Sequence, residues 1–280
     1  MSTIILQGSA LSISAAETIA NQLQGSLEQA QSFCKITTSQ TVTKQSVAQI
    51  GAQYSFDINL MPEDFNPQHI RLLITDMDST LINIECIDEI ADFINVKPQV
   101  SEITEAAMRG ELDFEGSLTQ RVKLLTGLDT SALQHVYNER LQLNPGAEKL
   151  VSELKKRNIK LALVSGGFTF FTHRLQERLG LDFTLANVLD IEDGKLTGRV
   201  VGGIVGAESK AHFLQELAQE LDISTQQAIA VGDGANDLKM MGIAGLSVAY
   251  HAKPAVQAQA TTSLNHCGLD GILGFMEIDQ

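Results

Sequence analysis

The residues of this chain with the clearest capacity for chemistry are two aspartates, Asp76 and Asp78, which directly follow the apolar run Arg71–Thr75. Two carboxylates one residue apart repel each other and lose hydration together at the end of a buried strand. Such a pair is tolerable beside a divalent cation, or where one carboxyl group attacks a substrate while the other carries its proton. An ordinary Asx-type turn is the alternative, and the pair alone does not decide between them.

A second strand-like run, Lys160–Val164, ends at Ser165-Gly166-Gly167. Helical spacing follows, so a hydroxyl group and free backbone N–H groups are expected at a helix N-terminus, which suits a phosphate or another anion. Taken alone, Ser165 fits a helix N-cap with a tight turn better.

A third run, Ala228–Val231, ends at a loop that reads Gly232-Asp-Gly-Ala-Asn-Asp237. Asp233, Asn236 and Asp237 offer three oxygen-bearing side chains within five residues, which favours coordination of Mg²⁺. A plain Asp/Gly turn is the alternative, but such a turn does not need both aspartates.

Two cations occupy unexpected positions in predicted helices. Lys210 lies in the first turn of a helix predicted over Ser209–Leu221, where the helix dipole disfavours a positive charge. A solvated lysine or an adjacent phosphate or carboxylate would each explain it. Arg121 lies on the apolar stripe of its helix, so it either has an anionic partner or snorkels at the edge of the stripe. Glu85 lies on the polar side of its helix, and by default it is a solvated acid.

The order of the predicted elements indicates how these residues come together. Strand-like runs followed by helical spacing predict an α/β fold with a doubly wound parallel sheet covered on both faces. Ligands of such sheets bind beyond the carboxyl ends of the strands, where the three polar loops are expected to meet. Four helical stripes with no intervening strand predict a lid above that edge. Asp193-Gly194 between two β-prone runs predicts a hairpin.

The segment Met61–Pro67 contains two prolines and is predicted to be a linker, so residues 1–66 are predicted to form a small N-terminal α+β domain. Residues 67–280 are predicted to form the main domain, with the helical lid inserted at about 84–142. The predicted order of the small domain is βαβαβ, with elements at residues 3–7, 13–30, 34–42, 45–53 and 55–60.

Composition and charge exclude several classes of function. The 280 residues carry a net charge of −14 with no basic cluster, which argues against nucleic acid or anionic membrane as a partner. No stretch is apolar enough for a membrane span or a signal peptide. Cys34, Cys86 and Cys267 lack zinc-site spacing and are interpreted as free thiols. We therefore expect a cytoplasmic protein. The sequence does not decide the oligomeric state, and a homodimer is compatible with it.

Four motifs, in this order, resemble those of the haloacid dehalogenase (HAD) superfamily. They are Asp76-Met-Asp-Ser-Thr80, Ser165-Gly166-Gly167, Lys210 and Gly232-Asp-Gly-Ala-Asn-Asp237. The resemblance implies a Rossmann-like core sheet with a helical-bundle cap insertion.

More narrowly, residues 70–250 are similar to the bacterial phosphoserine phosphatases. This similarity rests on Glu85, nine residues after the first aspartate, and on the lid segment Met108–Val122. It implies hydrolysis of O-phosphoserine in the last step of serine biosynthesis. Residues 1–66 resemble an amino-acid-binding ACT-like unit only weakly.

The resemblance also implies a role for each site residue. Asp76 would be the nucleophile, Asp78 would act as acid and then base, and Mg²⁺ would be held by Asp76, Asp233 and the main-chain carbonyl of Asp78. The residues implied to bind or position the phosphoryl group are Ser165, Gly166, Lys210 and Asn236, with Asp237 orienting Lys210. The residues implied to contact the serine part are Glu85 at the ammonium, Arg121 at the carboxylate, and Met108 and Phe114 at the apolar side.

Three other functions stay open on the sequence alone. The first is a phosphatase for another small amino-phosphate, such as phosphohomoserine or phosphothreonine, because a methylene group changes binding by only ~1–3 kcal/mol. The second is a phosphosugar mutase, which shares the two aspartates. The third is a non-catalytic amino-acid sensor.

Overall fold

A computed structural model describes residues 1–108 and 111–279, and two β-sheets organise these residues. The four-stranded sheet is built from residues up to Leu60, and the seven-stranded sheet from later residues. The elements of the first part are β1 Ser2–Gln7, α1 Ile13–Gln22, β2 Ser26–Gln29, β3 Phe33–Thr38, α2 Lys44–Gly51 and β4 Asp57–Leu60.

The first sheet has the strand order β2-β3-β1-β4 with antiparallel neighbours, which is a ferredoxin-like βαββαβ arrangement. The predicted βαβαβ order was therefore wrong, because the helix predicted over 13–30 included the residues that form the strand β2. The helix ends at Gln22, and Gln24 has a φ of +50°. A Cβ atom at Gly25 would lie 3.0 Å from the Thr37 carbonyl oxygen, so the glycine lets the chain turn closely past β3.

A short buried strand, β5 Leu72–Thr75, opens the second part of the chain. Among the residues that the structure describes, four helices follow it without an intervening strand, as the apolar stripes predicted. These helices, which we call the cap, are α3 Cys86–Phe93, α4 Lys97–Met108, α5 Phe114–Lys123 and α6 Ser131–Glu139.

The remaining elements alternate between strands and helices, apart from one β-hairpin. They are α7 Ala147–Lys156, β6 Lys160–Phe168, α8 Thr169–Leu179, β7 Phe183–Glu192, β8 Lys195–Val201, α9 Ala207–Glu220, β9 Ala228–Gly232, α10 Leu238–Met241, β10 Leu246–Tyr250, α11 Pro254–Gln259, β11 Thr262–Leu264 and α12 Gly271–Phe275.

The seven-stranded sheet has the order β11-β10-β9-β5-β6-β7-β8. All neighbours are parallel except β7 and β8, which form the predicted hairpin around Asp193-Gly194. Apolar clusters cover both faces of the sheet, so the doubly wound α/β prediction is confirmed. The three strand-like runs that end in polar loops are β5, β6 and β9, and β5 lies between the other two. Their polar ends therefore share one edge of the sheet.

Two adjacent connections join the cap to the sheet. Ile82 and Leu143 form an isolated antiparallel bridge, and the Asn83 backbone N–H donates to the Gln142 carbonyl at 3.0 Å. The side chain of Asn144 donates to the carbonyls of Thr80 and Ile82 at 2.8 and 3.0 Å. Both connections are thereby held together beside the end of β5. Within the described residues, no helix has the length and apolar character needed to cross a membrane.

Candidate active site

Lys210 is the centre of a buried charged cluster at the carboxyl ends of β5 and β9. Its ammonium group donates to Asp76 Oδ1 and to Asp237 Oδ1, each at 2.7 Å, and its side chain is fully buried. Asp76 follows β5 and Asp237 follows the loop after β9, whereas Lys210 extends from α9. The unfavourable position of Lys210 in the first helical turn is thus explained by two carboxylates beside it.

The charges of this cluster do not balance. The carboxylates of Asp76, Asp233 and Asp237 each have an oxygen within 4.8 Å of the others, and Lys210 is the cation that contacts two of them. Burial raises the pKa of Asp76 well above its ordinary value, although the Lys210 ammonium opposes this shift. Although burial alone would lower it, the two carboxylates raise the pKa of Lys210. Three ionised carboxylates and one ammonium leave two negative charges, which is the charge that a divalent cation neutralises.

The donor atoms of the cluster favour Asp76 and Asp233 as metal ligands. Asp233 accepts a hydrogen bond from the Thr80 hydroxyl at 3.1 Å through Oδ1, and burial, followed by Asp237, raises its pKa to about 6. Both oxygens of Asp237 already accept hydrogen bonds, one from Lys210 and one from the Gly234 N–H at 3.0 Å. Asp237 therefore suits the orientation of Lys210 better than metal coordination. Carboxylate oxygens are the donors that hard divalent cations prefer.

Asp78 lies beside this cluster on an irregular turn, Met77–Leu81, in which Ser79 has a φ of +57°. Asp78 Oδ1 accepts a hydrogen bond from the Cys86 backbone N–H at 3.2 Å. Burial, and next the Glu85 carboxylate, raise the pKa of Asp78 to about 7. A carboxyl group with this pKa can both donate and accept a proton near neutral pH.

Ser165 and Gly166 lie at the end of β6, next to Asp78. The Ser165 hydroxyl accepts a hydrogen bond from the Gly167 N–H at 2.8 Å. A Cβ atom at Gly167 would lie 2.9 Å from Asp78 Oδ2, so the glycine permits this close approach. The helix N-cap interpretation of Ser165 was wrong, because extended backbone continues to Phe168 and α8 begins at Thr169.

Arg121 faces the interior, as its position on the stripe of α5 predicted. Its Nε is buried and has no hydrogen-bond partner within the described residues. Burial lowers the pKa of Arg121, and the nearby carboxylates of Asp88 and Glu85 oppose that shift. The buried Nε without a partner favours an anionic partner for Arg121 over the snorkelling interpretation.

Glu85 begins the cap at the N-cap of α3, close to both Asp78 and Arg121. More than a third of its surface reaches solvent, in accord with the default expectation from its polar side. Even so, the protein atoms around its carboxyl group raise its pKa by desolvation, and Ser79 donates to Oε1 at 2.7 Å. Glu85 thus presents a carboxylate at the mouth of the site rather than on an open helix face.

Phe114, the first residue of α5, packs on the sheet side of the site. A Cβ atom at Gly166 would lie 2.8 Å from Phe114 Cζ, and one at Gly206 would lie 3.3 Å from Cδ1. Asn236 is half-buried in the loop after β9. Met108 ends α4, and its side chain lies outside the described residues.

Two further residues contact carboxylates of the candidate site. Thr80 donates to Asp233, and the Cys86 N–H donates to Asp78. Thr80 is the last residue of the Asp76-Met-Asp-Ser-Thr80 motif, so its position just after the first strand could have predicted that it lies in the site. The contact of Cys86 is made by its backbone, which no side-chain pattern reveals.

A family model for haloacid dehalogenase-like hydrolases matches residues 70–245, which is more than half of the chain. The chain belongs to this family. The match begins just before β5 and ends just before β10, so it includes Asp76, Asp78, Lys210 and the loop after β9.

Relatives of this HAD hydrolase include well-matched sequences and structures. A Polaromonas protein named phosphoserine phosphatase is 54% identical over 221 residues, covering 77% of this chain and 94% of its own. A structure of a Salmonella enterica HAD family hydrolase covers 99% of both chains with a TM-score of 0.90 and 31% identity. A structure of a probable phosphoserine phosphatase from Vibrio cholerae covers 99% of this chain and 86% of its own, with a TM-score of 0.85 and 38% identity.

Proposed function

We propose that this HAD hydrolase is a phosphoserine phosphatase, which hydrolyses O-phospho-L-serine to L-serine and inorganic phosphate in the last step of serine biosynthesis. The observation that carries this proposal is the pair Arg121 and Glu85 beside Asp78 and the buried acidic cluster. A buried guanidinium and a carboxylate at the mouth suit a substrate with one carboxylate and one ammonium group. Relatives named phosphoserine phosphatase that are 50–54% identical support the same substrate.

The serine part of the substrate binds to the cap in this proposal. Arg121 binds the carboxylate, which supplies the partner that its buried Nε lacks. Glu85 binds the ammonium group. Phe114 and Met108 cover the apolar side. A phosphosugar has neither a carboxylate for Arg121 nor an ammonium group for Glu85, so the mutase alternative is disfavoured.

The phosphoryl group binds where the ends of β5 and β6 meet α9. The Ser165 hydroxyl, the Gly166 backbone and the Lys210 ammonium contact its oxygens, and Asn236 helps to position it. Lys210 donates to Asp76 Oδ1 at 2.7 Å, so its ammonium lies next to the carboxylate that would bond to phosphorus. Negative charge that develops on the phosphoryl oxygens is stabilised by these donors.

The reaction proceeds through a covalent intermediate on Asp76. A carboxylate oxygen of Asp76 attacks phosphorus while the bond between phosphorus and the serine oxygen breaks, and Asp78 gives its proton to that oxygen. Serine leaves. Asp78 then takes a proton from a water molecule, which attacks phosphorus, releases phosphate and regenerates the Asp76 carboxylate. The pKa of about 7 at Asp78 suits both halves of this cycle.

The cofactor in this proposal is Mg²⁺, held by the carboxylates of Asp76 and Asp233 and by the main-chain carbonyl of Asp78. Bound Mg²⁺ supplies positive charge that neutralises the phosphoryl oxygens and the crowded carboxylates. Thr80 holds Asp233 in place, and Asp237 orients Lys210.

The proposal assigns the chemistry to residues 67–280, with the cap at about 84–142 as the substrate-recognition insert. Residues 1–66 are an accessory domain. Cys34, Cys86 and Cys267 carry free thiols, which suits a reducing compartment such as the cytoplasm.

The proposal is tested by steady-state kinetics of the full chain with Mg²⁺. The substrates are O-phospho-L-serine, O-phospho-L-threonine, phosphohomoserine, glucose 1-phosphate and p-nitrophenyl phosphate. We expect the highest kcat/KM for phosphoserine. A higher kcat/KM for phosphothreonine or phosphohomoserine would shift the assignment to that amino-phosphate, and phosphoryl transfer between sugar positions would replace it with a mutase.

A further inference from the structure

The side chain of Asn187, on β7, is buried and forms two hydrogen bonds to backbone groups of the candidate site. It is 1% exposed. Its Nδ2 donates to the Gly166 carbonyl at 2.8 Å, and its Oδ1 accepts from the Val205 N–H at 2.8 Å. One amide group thereby connects two separate chain segments, and neither segment belongs to β7.

The first segment lies at an irregularity in the sheet. Val164 pairs with Leu185 and Phe168 pairs with Asn187, so three residues of β6 stand opposite one residue of β7. This bulge removes Ser165, Gly166 and Gly167 from the regular ladder.

The peptide group between Gly166 and Gly167 is fixed from both ends. Asn187 binds its carbonyl, and Ser165 Oγ binds its N–H at 2.8 Å. Two successive glycines have unusual conformational freedom, so these two bonds fix an otherwise loose part of the chain.

The second segment leads into the helix that carries Lys210. Val205 directly precedes Gly206, the N-cap of α9, and Lys210 lies in the first turn of that helix. The ring of Phe114 lies where a Cβ atom at Gly166 or Gly206 would meet it, at 2.8 and 3.3 Å, so it packs close to both glycines. Asn187 thus joins the two backbone segments that lie beside the Phe114 ring.

We propose that Asn187 is a positioning residue for phosphate binding: its amide holds the Gly166 backbone and the start of α9 at the spacing that lets Ser165, Gly166 and Lys210 contact one phosphoryl group. This inference rests on the proposed function of that site. The amide is suited to the task because it is a donor on one side and an acceptor on the other.

The test compares Asn187→Ala and Asn187→Ser with a matched control, Asn59→Ala. Asn59, on β4, is also buried, and its amide also makes two backbone bonds, both to Ser263 at 2.9 and 2.7 Å. Each alanine variant thus loses the same kind and number of hydrogen bonds. The measurements are the inhibition constant of inorganic phosphate, kcat and KM for p-nitrophenyl phosphate and for phosphoserine, and the thermal unfolding midpoint.

We expect Asn187→Ala to weaken inhibition by phosphate and to lower kcat/KM for both substrates by about tenfold to a hundredfold, because buried backbone groups lose their partners. Asn187→Ser retains one polar group and is expected to fall between the wild type and Asn187→Ala. Should Asn187→Ala not fold, the serine variant carries the comparison. Asn59→Ala is expected to lower the unfolding midpoint while the phosphate inhibition constant stays within about twofold.

Phosphate inhibition and kcat/KM within about twofold of wild type in the folded Asn187 variants would overturn the inference. An equal loss of phosphate affinity in Asn59→Ala would overturn it as well, since the effect would then be one of general stability. Inorganic phosphate and p-nitrophenyl phosphate lack the serine part, so this result is separate from the substrate assignment. Failure of the wild type to hydrolyse phosphoserine would sink the proposed function alone.

Discussion

Asp233 illustrates how charge crowding at single residues links this site to a metal. Its pKa is raised to about 6, chiefly by burial and then by Asp237. An acid with a raised pKa stabilises the folded state fully below its unfolded pKa, here 3.8, and this contribution is lost as the pH rises through about 6. A bound divalent cation acts in the opposite direction, because it requires the ionised carboxylate.

We therefore predict that the stabilisation of the protein by Mg²⁺ depends on pH. At pH 7.5 the thermal unfolding midpoint should rise with Mg²⁺, whereas at pH 5 the apparent affinity should be on the order of tenfold weaker, because a proton occupies Asp233. Differential scanning calorimetry with and without Mg²⁺ at both pH values measures this. The variant Asp233→Asn is the control and should lose most of the Mg²⁺ effect at pH 7.5. An equal Mg²⁺ shift in wild type and variant would remove Asp233 from the metal site.

At the residue scale, the sequence identified the reactive groups better than their partners. Asp76, Asp233, Asp237 and Lys210 were all singled out by type and position. Residue types alone did not separate the roles of Asp233 and Asp237, which only the family resemblance implied, because the difference depends on which oxygens already accept hydrogen bonds. Contacts made through backbone groups, as at Cys86, leave no side-chain signal in a sequence.

In the proposed function, the cap is the element that adds substrate recognition to the phosphate site. Glu85 is the N-cap of its first helix, α3, and its third helix, α5, carries Phe114 and Arg121. Both connections to the sheet leave beside the end of β5. Residues from the cap therefore enter the same space as Asp78, while the cap remains a separate layer.

We predict that Arg121→Ala lowers kcat/KM for phosphoserine by about tenfold to a hundredfold and affects p-nitrophenyl phosphate by less than about threefold. The reason is that only phosphoserine has a carboxylate for the buried guanidinium. Steady-state kinetics on both substrates provide the comparison. Lys123→Ala, an exposed cation on the same helix, is the control and should change neither value. Equal losses on the two substrates would exclude Arg121 from carboxylate binding.

Elements with strong periodicity were predicted well, and an exposed edge strand was not. The cap helices and the strands β5, β6 and β9 follow from apolar spacing. The strand β2, Ser26–Gln29, is largely exposed at the edge of its sheet, so alternating burial leaves no pattern in its sequence. Its extended conformation comes from pairing with β3. Tertiary pairing overrides local helix propensity there.

At the scale of the whole molecule, the two sheets meet along their edges. Asn59 of β4 bonds to Ser263 of β11, and these are the outer strands of their sheets. The buried carboxylate of Asp57 accepts hydrogen bonds from the backbone N–H groups of Asn265, His266 and Cys267. The contact lies three strands away from β5, so it supports the fold without touching the site.

We predict that Asp57→Ala lowers the free energy of unfolding by roughly 2–3 kcal/mol, because it leaves three backbone N–H groups without their acceptor. The kcat for phosphoserine at 25 °C should stay within about twofold of wild type, since no site residue moves. Denaturant titration and kinetics on the same samples give both values. Asp64→Ala, which removes an exposed carboxylate of the same part of the chain, is the control for charge and should leave stability unchanged. A large loss of kcat in folded Asp57→Ala would show that the first sheet influences catalysis.

The proposed mechanism places the transferred phosphoryl group on Asp76. Its most direct test is rapid acid quenching of the Mg²⁺-loaded protein during phosphoserine turnover, followed by peptide mass spectrometry. We predict a phosphoryl group on the peptide that contains Asp76, and no turnover in a folded Asp76→Asn variant. Sustained hydrolysis by folded Asp76→Asn, or a phosphoryl group found on a different residue, would exclude Asp76 as the nucleophile.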